Sequence, residues 1–274
     1  MPELPEVQTV VNDLIKGSLI GLTITQADLF WKKTLAAPSQ ETFQQQLIGQ
    51  QILDVTRRGK WIVLKLRDYS LLIHLRMSGR ILLTKPKPPT SHERARFYLS
   101  DSRMIRFEDQ RKFGKIYLLI DPQEKLGELG VEPLSPEFTS EKLQSLLMRP
   151  TRIKALLLDQ KLLAGLGNIY VDEVLFRSYI YPATPASHLT IGQIELLQES
   201  IQYVLRRAIE RKGTSLGEGR ANFHGAGGDH GTNVANLCVY GREGQPCLNC
   251  QTTLLKIVVI GRGTHFCPNC QNSR

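Results

Sequence analysis

The chain has 274 residues, 41% of them hydrophobic, and 35 Lys and Arg against 26 Asp and Glu give a formal net charge of +9 and a pI near 9.4. That length supports about two domains at the usual ~100 to 200 residues each, and the apolar fraction suffices for real cores. The basic balance points to a polyanion such as nucleic acid, with a membrane surface the weaker alternative; with no membrane-length apolar run and no secretory signal, a membrane-embedded chain is set aside and a reducing, cytoplasmic compartment is expected.

The first segment is Met1-Pro2-Glu3-Leu4-Pro5-Glu6-Val7. If Met1 is trimmed, the small second residue presents a secondary amine, whose pKa of ~7.7 to 8.0 leaves an appreciable neutral fraction where a lysine near ~10.4 is almost wholly protonated. Such an amine forms a Schiff base with a sugar or carbonyl carbon. The same residues also read as a helix start, Pro5 lacking an N–H that nothing would satisfy and Glu6 complementing the dipole. Val7, Val10, Val11, Leu14 and Ile15 keep the helical period, and Gly17 stops it.

Short apolar runs with turn signals between them follow at Leu22–Leu29, Ile52–Val55, Trp61–Leu66, Leu71–Leu75, Ile81–Thr84, Arg96–Leu99, Met104–Phe107 and Ile116–Ile120. They predict a β-sandwich or barrel, with Lys85-Pro86-Lys87-Pro88-Pro89 as a basic loop outside any ladder. Residues 121–136, with three prolines, read as a linker. Beyond it the period becomes helical, at Leu143, Leu146 and Leu147, at Ile153, Leu156 and Leu157, and at Ile194, Leu197, Ile201, Val204 and Leu205. Leu162 to Glu173 is a glycine-rich turn in which Asn168 is expected to cap the next helix, either a plain packing corner or an anion site. Gly213–Gly231 reads as a mobile, solvated or substrate-closing loop.

Cys247-x2-Cys250, sixteen residues, then Cys267-x2-Cys270 is the spacing of a four-cysteine zinc site. The β-rich run Leu254–Ile260 and the turn Gly261-Arg262-Gly263 describe a zinc-pinned hairpin with Arg262 at its tip. Two disulfides are the competing explanation, disfavoured in a reducing compartment. Cys238 is the odd one, read as a small buried residue.

Together Pro2-Glu3-Leu4-Pro5-Glu6, Arg58-Gly59-Lys60, His74-Leu75-Arg76-Met77-Ser78-Gly79, Asp109-Gln110-Arg111-Lys112-Phe113-Gly114, Gly165-Leu166-Gly167-Asn168-Ile169-Tyr170 and the run Gly261 to Cys270 resemble formamidopyrimidine-DNA glycosylase over nearly the whole chain. Leu4 favours that enzyme over its sister, endonuclease VIII. The resemblance implies an α+β chain: a catalytic β-sandwich with flanking helices over 1–130, a helical helix-two-turn-helix domain with a mobile loop over 131–236, and a zinc finger over 237–274. It implies a monomer with one Zn²⁺ that acts on double-stranded damaged DNA, excises 8-oxoguanine and formamidopyrimidines, and cuts the abasic strand by β,δ-elimination. Pro2, Glu3, Glu6 and Lys60 form its catalytic set. Met77, Arg111 and Phe113 match residues inserted where a nucleotide is turned out, and their types suit a wedge. Lys60, His74, Lys154, Asn168 and Arg262 match phosphate-holding positions. Residues 218–236 lie where the lesion-covering loop should be but do not align with it, so no base-reading residue is assigned there.

Two other classes fit parts of the chain. A noncatalytic zinc protein that binds nucleic acid explains the charge and the ribbon but forms no covalent adduct with abasic DNA. An N-terminal-proline tautomerase explains Pro2 but neither the ribbon nor the glycine-rich turn.

Overall fold

The computed structural model describes residues 1–216 and 223–272. The backbone gathers into two compact units, Met1–Glu128 with Ile209–Val234, and Leu129–Ala208 with Ala235–Arg274.

In the first unit, helix α1 (Leu4–Lys16) precedes β1 (Ile24–Leu29), β2 (Leu35–Ala37), α2 (Gln40–Leu47), β3 (Ile52–Arg58), β4 (Trp61–Leu66), β5 (Ser70–His74), β6 (Gly79–Thr84), β7 (Glu93–Leu99), β8 (Met104–Asp109), β9 (Lys115–Leu119) and α3 (Gln123–Leu126). The strands form a five-stranded sheet, β2-β9-β5-β4-β3, and a four-stranded sheet, β1-β7-β8-β6. A β-sandwich results. Val55, Ile62, Leu64, Leu71, Ile73 and Ile116 from one sheet share a core with Ile24, Ile81, Phe97, Ile105 and Phe107 from the other. Val7, Val10, Val11 and Leu14 of α1 close it, as their spacing predicts. Every predicted strand is present. Helix α2 lies outside the sequence expectation: with Phe43 and Leu47 as its only buried residues, it carries too few apolar positions to display a period.

The segment Ile209–Val234, expected with the helices, groups with the first unit, and its described residues make specific contacts there. Phe223 and Ala226 join the sandwich core, the Leu83 N–H donates to the Ala226 carbonyl (3.1 Å), and the Gly231 N–H donates to Ser215 Oγ (2.9 Å). Residues 217–222, which include the start of the stretch 218–236 read as the lesion-covering loop, lie outside the described residues.

The second unit contains α4 (Ser140–Leu147), α5 (Ile153–Leu158), α6 (Asn168–Arg177), most of α7 (Ile191–Glu210) and the hairpin β10 (Leu255–Val259) and β11 (Arg262–Phe266). Among the described residues no helix is long and apolar enough to cross a membrane.

Candidate active site and nucleic-acid interface

At the start of the first unit Met1 is exposed while Pro2, Glu3 and Glu6 are buried. Glu3 is the N-cap of α1, and its N–H donates to Glu6 Oε2 at 2.7 Å. The other Glu6 oxygen accepts the Thr214 N–H at 2.8 Å. Gly213 makes that approach possible: its φ is +78°, and a Cβ there would lie 2.7 Å from Glu6 Oε1. Glu6 therefore fixes the backbone on both sides of itself, tying the helix start to the returning segment. A buried carboxylate with both oxygens engaged orients its surroundings better than it moves protons.

Lys60 sits in the two-residue turn Gly59-Lys60 between β3 and β4, and it is buried. The β4/β5 register sets Trp61 opposite His74, with the rings edge to face at 4.7 Å. His74 Nδ1 accepts the Arg76 N–H at 3.0 Å, which leaves the proton on Nε2. Burial, helped by the charges of Arg76, Lys60 and Lys125, lowers the His74 pKa to about 3, so the ring is a neutral N–H donor at physiological pH.

Met77 and Phe113 are 43% and 48% exposed, and Arg111 is exposed with its guanidinium 4.9 Å from the Phe113 ring centre. Buried Asp109 joins their two turns. Its Oδ1 accepts from Ser78 Oγ in the Met77 turn and from the Arg111 N–H (3.2 Å), while Oδ2 accepts the Gly114 N–H (2.7 Å). Sequence reasoning gave Asp109 no role, because the pairing with Ser78 spans 31 positions.

In the second unit the four cysteine sulfurs lie within 4.8 Å of one another, with Cys250 Sγ 3.5 Å from both Cys267 and Cys270 and Cys247 Sγ 3.9 Å from Cys270. Disulfides are excluded, since bonded sulfurs lie ~2.05 Å apart. Thiolates ~2.3 Å from a tetrahedral Zn²⁺ are separated by ~3.8 Å, so the donor set fits zinc. The Asn249 and Cys270 N–H groups donate to Cys247 and Cys267 sulfurs, both at 3.4 Å. Cys238 stands apart as a thiol, with burial pushing its pKa up to about 11.

Helix α6 holds this ribbon. Glu173 accepts the N–H groups of Cys238, Val239 and Tyr240 at 2.8 to 2.9 Å, although burial pushes its carboxyl above the usual range. Asp172 accepts the His265 N–H at 2.9 Å and the Lys154 ammonium at 2.6 Å. Lys154, expected on a phosphate, is 0% exposed, and its ammonium also reaches the Gly263 carbonyl. Its geometry is that of a group that positions the ribbon. Asn168 does not cap α6 with its side chain; Gly167 is the N-cap, and Asn168 Nδ2 donates to the same Gly263 carbonyl at 2.9 Å. Arg262, one residue away, is exposed.

Comparison with known proteins matches residues 1–116 to the formamidopyrimidine-DNA glycosylase N-terminal domain, 129–218 to the H2TH domain of that enzyme, and 244–272 to the zinc finger found in FPG and IleRS. The chain belongs to the formamidopyrimidine-DNA glycosylase family. Relatives named formamidopyrimidine-DNA glycosylase from Protochlamydia amoebophila and Shouchella clausii are 43% and 44% identical to it, in each case over 99% of both chains. Lactococcus lactis Fpg, solved in complex with DNA containing an abasic site, superposes with a TM-score of 0.90 at 34% identity over 99% of this chain and 100% of that one. MutM (Fpg) from Thermus thermophilus superposes with a TM-score of 0.89 at 36% identity over 100% of both. A glycosylase of this family acts in base excision repair of damaged bases, and the cysteine cluster is its zinc finger.

Zinc should therefore be structural here. Replacing Cys250 by Ser leaves an incomplete shell around a hairpin whose own core is small, so metal and duplex affinity should be lost together. Metal analysis beside fluorescence anisotropy on duplex DNA checks this. Tight duplex binding by a metal-free wild-type sample would contradict it.

Proposed function

We propose that the chain is a bifunctional glycosylase and abasic-site lyase that removes oxidised purines, 8-oxoguanine and formamidopyrimidines, from double-stranded DNA. It works as a monomer, in the cytoplasm at the nucleoid, with one Zn²⁺ per chain held by Cys247, Cys250, Cys267 and Cys270. The zinc is structural and supplies no step. Removal of Met1 frees the Pro2 amine, which attacks C1′ of the flipped nucleotide as the bond to the base breaks. Glu3 protonates the ring oxygen, opening the sugar to an iminium, and later takes a sugar proton as the 3′ and then the 5′ phosphate leave by β,δ-elimination. Glu6 holds this geometry, and Lys60 completes the set.

The observation that carries this reading is the arrangement at the start of α1: exposed Met1, buried Pro2 and Glu3, and a Glu6 locked by two N–H groups. Glu3 and Glu6 form a capping box that serves the helix start, and what goes beyond capping is the second Glu6 oxygen, which holds the Thr214 N–H. Neutral His74, Asn168 and Arg262 are donors suited to phosphates. Met77, Arg111 and Phe113 fill the space left by the flipped nucleotide, on turns set by Asp109. The structural relatives include Lactococcus lactis Fpg with DNA carrying N7-benzyl-Fapy-dG, which supports the purine class.

Single-turnover assays on three duplexes test this, one with 8-oxoguanine opposite cytosine, one with an oxidised pyrimidine, and one with a preformed abasic site. The wild-type chain should favour the first over the second. Alanine at Met77, Arg111 or Phe113 should slow the first by more than the third, where less stacking is lost on opening. A preference for the pyrimidine would move the chain to the endonuclease VIII activity, and equal losses on the first and third would reduce the three residues to general binding.

A further inference from the structure

Two histidines of the segment Ile209–Val234 face each other, and no step of the glycosylase chemistry uses them. His224 and His230 oppose across an antiparallel bridge, with ring centres 4.2 Å apart. His230 is exposed, so packing does not account for the pair. His224 Nδ1 lies 3.4 Å from the Gly228 carbonyl, which can only accept, so Nδ1 carries the proton and Nε2 the lone pair. Imidazoles that hold metal ions are oriented in this way. The backbone beneath the pair is fixed. Ser215 Oγ donates to the Phe223 carbonyl (2.6 Å) and accepts the Gly231 N–H (2.9 Å), joining the two residues that flank the histidines. Within the turn the Gly225 N–H donates to the Asp229 carbonyl at 2.8 Å. Gly225 also lies so near α1 that a Cβ on it would collide with Asp13 Oδ2.

We propose that His224 and His230 chelate a divalent transition-metal ion of the copper, nickel or zinc class, with water completing its shell. This site is distinct from the four cysteines. Imidazole nitrogens suit those ions, whereas Mg²⁺ and Ca²⁺ prefer oxygen. On a tetrahedral ion two nitrogens at ~2.0 to 2.1 Å lie ~3.3 Å apart, a separation that rings with centres 4.2 Å apart reach by turning about χ2. The neighbouring carboxylate is engaged elsewhere, since Asp229 Oδ2 holds the Lys212 ammonium at 2.9 Å. That pairing leaves the two imidazoles as the donors and keeps the lysine charge from opposing the ion. Because Ser215 follows Thr214, whose N–H Glu6 holds, an ion here braces the same segment and stabilises the first unit.

The test titrates NiCl₂ into the untagged, zinc-loaded full chain by calorimetry, with metal analysis afterwards to follow the cysteine-held zinc. One Ni²⁺ per chain should bind with that zinc retained, and MgCl₂ should give no such heat. His224→Ala and His230→Ala should each weaken binding by ~10²-fold, the low end of the gain from a second tethered ligand, and His188→Ala should leave it unchanged. Urea unfolding of the first unit, followed by tryptophan emission, should need more urea when the wild type carries Ni²⁺, and His230→Ala should lose that shift. In the wild type itself, Ni²⁺ should broaden the imidazole NMR signals of His224 and His230 before those of His92 and His188, a result that depends on no variant's folding. Binding that survives both alanine substitutions, or broadening that begins at another histidine, would overturn the site. Uptake of Ni²⁺ matched by loss of zinc would overturn it too, by placing the ion among the cysteines.

Discussion

Glu3→Gln is expected to slow excision of 8-oxoguanine by ~10² to 10⁴-fold, the usual contribution of a general acid and base, while imine formation on a preformed abasic site survives in substantial part. Expelling the base and opening the sugar needs a proton at the ring oxygen, and Glu3 is the carboxyl adjacent to the proposed nucleophile. An abasic sugar already equilibrates with its open aldehyde, so Pro2 can condense with it without that protonation. Glutamine keeps the size of the side chain and much of its hydrogen bonding. The backbone N–H of residue 3, which Glu6 holds, is untouched by the substitution. Single-turnover excision beside borohydride trapping on abasic DNA, with one protein preparation, measures both steps. Excision near the wild-type rate would remove Glu3 from the acid role, and Glu6, already engaged at both oxygens, would be a poor replacement.

Lys154→Met is expected to cost about 3 to 5 kcal/mol of stability in the second unit, because it strands the Asp172 carboxylate in a fully buried site. Duplex affinity should fall as well, through the Gly263 carbonyl and the hairpin that carries Arg262. The salt slope should not change, since the ammonium is buried against Asp172 and Gly263. Both tryptophans, Trp31 and Trp61, lie in the first unit, so zinc release during a urea titration is the appropriate probe. An unchanged zinc-release midpoint with a slope lower by ~1 would return Lys154 to a direct phosphate contact.

These two residues mark the extent of what is legible in the sequence. The sandwich strands, α1 and the cysteine set depend on local period and spacing, which residue order alone displays. Glu3 and Glu6 are visible beside Pro2, but the lock on Thr214 is not, because it joins positions 208 apart with no pattern connecting them. Lysine on a short helix reads as a solvated charge or a phosphate ligand; only folding brings Asp172 against Lys154 and reverses that expectation. Glu173 and Asp109 escape for the same reason, since their partners are largely backbone N–H groups, which leave no trace in residue type. Segment 209–234 is misplaced by its sequence because glycine and polar residues hide the two apolar anchors, Phe223 and Ala226.

The central claim is that the Pro2 nitrogen attacks the sugar, and sodium borohydride trapping on a duplex with one 8-oxoguanine opposite cytosine tests it most directly. Chain with Met1 removed should give a reduced covalent adduct that mass spectrometry places on the N-terminal peptide. Chain with Met1 retained should bind the same duplex and give none, its Pro2 nitrogen being an amide. An adduct on Lys60, or equal trapping with Met1 in place, would contradict the account.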